Sequence, residues 1–93
     1  MLAFSPIDLS KVKKEDLNKE ILRLGMIAEL DAVSLYEQLA ATTTDNNIKK
    51  VLLDIAKEEK THAGEFEILL LQQDKEQEKE IENAKKEIRE LTK

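Results

Sequence analysis

Glu59 and His62 stand three residues apart in a chain of 93 residues whose only histidine is that one. On a helix, residues three apart lie one turn apart on the same side, so a carboxylate and an imidazole at this spacing converge on one cation. A wheel at about 100° per residue places Ile48, Val51, Leu52, Ile55, Ala56, Ala63, Phe66, Leu69 and Leu70 on one apolar face, with Glu59 and His62 inside it. An ionised Glu among apolar side chains is costly unless something compensates its charge. A metal ion supplies that compensation. Glu29 repeats the anomaly earlier in the chain, within the arc of Leu22, Gly25, Ala32, Val33 and Tyr36. The plain alternative for a Glu-x-x-His pair is a surface pair or a satisfied hydrogen bond; its place in an apolar stripe and the matching Glu29 favour the metal. Tyr36 reads as core packing with its hydroxyl at a helix edge. Asp31 and Glu58 read as solvated helix boundaries, and Glu65 and Glu67 as surface residues.

Helices must position these groups. Two Gly, one Pro and an abundance of Glu, Lys and Leu favour them. Residues 1–10 hold the only proline, Pro6, and read as an extended lead-in, with Ser10 or a nearby polar residue as a cap. Helix one is expected over about 11–41, its periodic part running from Leu17 to Ala41 with Gly25 as its only breaker. Leu30 and Ile27 emerge opposite the main stripe, so this helix contacts more than one neighbour. The turn and capping cluster Thr42 to Asn47 offers Thr44 or Asp45 as the N-cap of helix two, expected over about 45–72, and so short a connection makes the two helices antiparallel. Asp74 with Gln77 resembles a capping pair for helix three, about 74–92. Its apolar residues Ile81, Ala84, Ile88 and Leu91 form a narrow stripe on a charged rod, suited to solvent or to an oligomer contact.

The absence of cysteine excludes disulfide scaffolds, thiolate zinc sites and cysteine nucleophiles. Any metal must be held by oxygen and imidazole. The net charge is −5, and the acidic excess is in the middle segment: residues 27–72 carry nine acidic and four basic side chains. That argues against nucleic acid, which needs a basic face, and suits the attraction of cations. The N-terminus lacks the layout of a signal peptide, and no apolar run approaches the roughly 20 residues that span a bilayer. The expected setting is cytoplasmic, with no membrane.

A hairpin of two helices encloses no core, and this one offers a single Glu from helix one and one Glu-x-x-His from helix two. Di-iron carboxylate bundles use a Glu from each of two helices and a Glu-x-x-His from each of two others. The chain supplies half of that set. Two-fold pairing of hairpins would complete a four-helix bundle with four carboxylates and two imidazoles. Such donors suit Fe(II), Mn(II) or Zn(II), iron where redox chemistry is the purpose. Carboxylates bridging two irons, Glu59 being the best placed, let O₂ or peroxide take an electron from each.

The segments Ile27-Ala28-Glu29-Leu30-Asp31-Ala32-Val33-Ser34-Leu35-Tyr36-Glu37-Gln38 and Glu58-Glu59-Lys60-Thr61-His62-Ala63 closely resemble the encapsulated ferritins, most of all their archaeal members, from about Ile21 to Leu71. The resemblance implies an all-α fold in which residues 1–93 form one ferritin-like half-bundle domain: an antiparallel two-helix hairpin plus a C-terminal helix, dimerising into a four-helix bundle. It implies a ferroxidase whose di-iron site, two ions per dimer, lies at a subunit interface with Glu29, Glu59 and His62 as iron ligands. Manganese, zinc or calcium would be substitutes. It further implies a homo-oligomer, usually a decameric ring of dimers, housed with an encapsulin shell protein in a nanocompartment that stores the mineral. Asp31 takes the place of a family acidic residue that binds incoming metal, and Tyr36 would lie beside the iron centre. Ala28 and Leu35 stand where bacterial members have a Glu and a Trp. Two other readings are a rubrerythrin-like peroxide-reducing di-iron protein, although those commonly carry a four-cysteine iron domain, and a non-catalytic helical oligomerisation module clipped by metal.

Overall fold

Side chains at seven-residue intervals join the two long helices. The computed structural model describes residues 7–93, and in it α1 spans Leu17–Thr42, α2 Asn46–Gln73 and α3 Lys75–Leu91. Val33 and Ala40 on α1, and Ala56, Ala63 and Leu70 on α2, are the buried apolar residues among those described. Heptad spacing on both helices keeps one seam facing the partner along their whole length, and alanine at three of the five positions lets the backbones approach closely.

The hairpin turn is set by hydrogen bonds. Asp45 Oδ1 accepts from the backbone N–H of Asn47 at 2.9 Å and of Ile48 at 3.0 Å, as an N-cap should. Thr43 Oγ1 accepts from Asp45 N–H at 3.1 Å. With only three residues between α1 and α2, the chain has no room to do anything but reverse.

A single residue joins α2 to α3. Asp74 is extended (φ −127°, ψ 92°) and serves both helices. Its N–H donates to Leu70 O at 2.8 Å, and its Oδ1 accepts from Gln77 N–H at 3.1 Å, the pair expected from the sequence. Its other oxygen takes Arg23 Nη2 at 2.9 Å, while Arg23 Nη1 donates to Glu20 at 2.7 Å. The buried Asp74 thereby ties the α2–α3 joint to the start of α1. The described chain measures 46 × 43 × 20 Å, broad and thin because α3 leaves the hairpin. Ile88 and Leu91 at its far end are exposed.

Helix one begins later than position 11. Leu9–Lys11 and Lys14–Asp16 are 3₁₀ turns, with Val12 and Lys13 extended between them. The turn Lys14–Asp16 runs directly into α1, and the α-helix proper begins where Glu15, Asp16 and Glu20 lie near its positive end, an arrangement the helix dipole favours. Ser10 does not cap α1; its N–H and hydroxyl both bind Asp8, at 3.0 and 2.6 Å, in the first 3₁₀ turn. Within the lead-in, residues 1–6 lie outside the described residues. No helix among the described residues is long and apolar enough to cross a membrane.

Candidate metal centre

Antiparallel packing brings α1 and α2 together so that facing positions count in opposite directions. Glu29 on α1 thereby meets His62 on α2, with Glu59 one turn away on the same helix. His62 Nδ1 lies 3.4 Å from Glu59 Oε2 and 3.5 Å from Glu29 Oε2, and one ligand atom from each of the three residues lies within 4.8 Å of the others. All three residues singled out by spacing therefore converge.

These separations exceed the roughly 2.8 Å of a close charge-assisted hydrogen bond. They are instead close to those of shared ligands: two donors, each about 2.1 Å from one ion, stand about 3 Å or a little more apart. The donor chemistry fits too. Two carboxylates balance one divalent cation, and one imidazole adds the nitrogen that iron, manganese and zinc accept.

The cluster is not enclosed by its own chain. The Glu29 and Glu59 side chains keep 22% and 19% of their exposure and His62 keeps 46%, so His62, expected inside the apolar face, stands at its open edge. That edge is flanked by apolar groups. Ile21, Leu22 and Leu69 line a common depression towards one end, and Ile48, Val51 and Leu52 another towards the other. Val51 is 58% exposed, an unusual position for a Val on a helix face that elsewhere buries alanines.

Tyr36 and Asp31 differ in placement. Tyr36, half-buried, is seven residues from Glu29 and so on its face of α1. Asp31 is turned about 200° around the helix from Glu29 and is not one of the three converging residues. A contact missing from the sequence reading lies beside the site. Gly25, one turn before Glu29, has Phe66, one turn after His62, pressed against it: a Cβ built on Gly25 would come 2.7 to 2.9 Å from three atoms of the ring. The signal was present as two residues each four positions from a member of the converging trio, on facing helices.

Comparisons with known proteins identify relatives of this chain. The family profile described as Rubrerythrin matches residues 20–93. The "Ferritin-like-encapsulin shell fusion protein" of Pyrococcus furiosus is 50% identical over 95 residues, a match covering 99% of this chain; the chain spans 27% of the length of that relative. The crystal structure of the encapsulated ferritin domain from the same organism superposes with a TM-score of 0.84 at 48% identity, covering 99% of this chain and 96% of that one.

Proposed function

The chain belongs to the rubrerythrin family, as a ferritin-like domain of the encapsulated-ferritin type, and on that premise we propose that two copies pair to form a ferroxidase. The observation that carries the reading is the convergence of Glu29, Glu59 and His62 on an open, apolar-flanked edge. Half a ligand set at an uncovered face is what a shared centre requires of each chain. Glu29, Glu59 and His62 of each chain would hold the iron, Glu59 being the best placed of the three to be shared between two ions. Four carboxylates then neutralise two Fe(II) substrates. Each Fe(II) loses one electron, and O₂ takes both with two protons, leaving hydrogen peroxide.

The relative's name supports a setting for this chemistry. A domain similar to one fused to an encapsulin shell protein would work with such a shell, delivering Fe(III) to a cytoplasmic compartment, with the dimers arranged in a ring, a decamer in the assembly implied by resemblance.

Anaerobic loading with Fe(II) followed by elemental analysis tests the reading. Two irons per two chains, and a ferric absorbance appearing on exposure to O₂, are expected. Protein that binds no iron would end it. The family match also gives weight to peroxide as the oxidant; in that case peroxide takes the two electrons with two protons and leaves two waters. Oxidation much faster with peroxide than with O₂ would favour that version.

A further inference from the structure

Gly25 looks out of place in the interior of a 26-residue helix, because glycine there loses more backbone freedom on folding than alanine does. Its backbone is ordinary: no described glycine has a positive φ, so no unusual turn calls for it. What calls for it is space. A Cβ at Gly25 would lie 2.7 Å from Cε1, 2.8 Å from Cδ1 and 2.9 Å from Cζ of Phe66, all well inside the roughly 3.5 Å at which carbon atoms pack. The ring lies flat on the α1 backbone through the gap that a methyl would fill. Gly64, the other glycine, is the contrast: a Cβ there meets nothing within 4 Å.

The position of this contact gives it a role. Gly25 precedes Glu29 by one turn on α1, and Phe66 follows His62 by one turn on α2. Because the helices run antiparallel, the Gly25–Phe66 contact and the Glu29–His62 approach of 3.5 Å are consecutive rungs of one ladder. The first rung fixes the separation and register of the two backbones, and the second inherits them. We propose that Gly25 and Phe66 are positioning residues whose flat contact holds α1 and α2 at the spacing that lets Glu29 share a metal ion with Glu59 and His62. Neither residue touches the ion. The proposal rests on the metal-centre reading above and adds to it what sets its dimensions.

Cobalt(II) is a suitable probe, since its visible bands report ligand number and geometry without turnover. Cobalt affinity and bands are measured on the paired full chain, with pairing confirmed by sedimentation. Gly25→Ala should bind cobalt about ten-fold more weakly, in the range seen when residues supporting ligands are altered, and with shifted bands. Gly64→Ala adds the same methyl where there is room and should leave both unchanged. The size swap Gly25→Ala with Phe66→Leu, which gives the methyl its space back, should restore affinity and bands. Wild-type affinity and bands in Gly25→Ala would overturn the proposal, and so would failure of the size swap to rescue a weakened Gly25→Ala. Should Gly25→Ala not fold or pair, Phe66→Leu alone decides: weakened binding in a paired chain supports the proposal, and unchanged binding overturns it. Wild-type chain that binds no cobalt would instead sink the metal-centre reading itself.

Discussion

His62 sits between two carboxylates with almost half of its side chain exposed, a poor arrangement for stability and a good one for binding. Without metal, pairing two copies would bring four carboxylates into one apolar space, where desolvation and mutual repulsion oppose association. Exchanging Glu59→Ala and His62→Leu together should therefore abolish metal binding and raise the stability of the metal-free pair by about 1 kcal/mol, read as a higher melting temperature in the presence of a chelator. Wild-type protein should show the opposite response to metal. At free metal 100 times its dissociation constant, stability should rise by about 2.7 kcal/mol, and the chelator should reverse that rise. The three converging residues were legible in the sequence because an acid within an apolar stripe is an anomaly that few causes explain. The exposure of His62 was not, since a helical wheel gives direction around an axis and says nothing of what covers that direction.

At the scale of elements, the caps were readable and their long-range partners were not. Asp45 and the Asp74–Gln77 pair follow from local residue types, whereas Arg23 reaches Asp74 across 51 positions of sequence, which no local pattern encodes. Replacing Asp45 by Ala should cost about 1 kcal/mol, measurable by urea unfolding. Asp74 carries a pH dependence as well. The hydrogen bond from Gln77 N–H holds its carboxyl below the ordinary 3.8, partly offset by burial and helped by the charges of Lys19 and Arg23 and by the Arg23 hydrogen bond. The folded chain thus takes up this proton less readily than the unfolded one. The resulting stability is present in full above pH 3.8 and is lost as the pH falls through the lower folded value. Asp74→Asn, which keeps an acceptor for the cap but not the charge, should lose less stability than wild type over that acid interval. Equal losses would show that the joint is indifferent to its ionisation. The start of α1 at Leu17 was missed for a related reason: hydrophobic periodicity locates a helix, while the 3₁₀ turns that precede it carry no such pattern.

The whole molecule exposes 7303 Å², against about 5,500 Å² for a typical folded monomer of its mass. The excess is large enough to form a stable interface. Ile21, Leu39, Ile48, Val51 and Leu69 are exposed apolar groups on the helix faces that carry Glu29, Glu59 and His62, and a charge among them should prevent pairing while leaving the hairpin seam intact. Leu69→Lys is expected to sediment as a single chain and to retain its helix content. Its iron binding should fall to background, although Glu29, Glu59 and His62 are all still present. The sequence pointed to a partner because a hairpin of two helices encloses no core, and the few buried apolar side chains among the described residues agree with that; the face on which a partner would sit under the proposed reading was not legible until the open edge and the cluster were found on the same side.

One property of that edge has a kinetic meaning. If the centre is shared as proposed, a chain with three donors on an uncovered surface holds only half of it, so at high dilution the oxidation rate should rise with the square of chain concentration and become proportional to it once pairing saturates. Freshly made, scattered chains would be chemically silent towards iron, and peroxide would be released only where many copies are crowded together. Crowding, with no dedicated inhibitor, would then be the trigger.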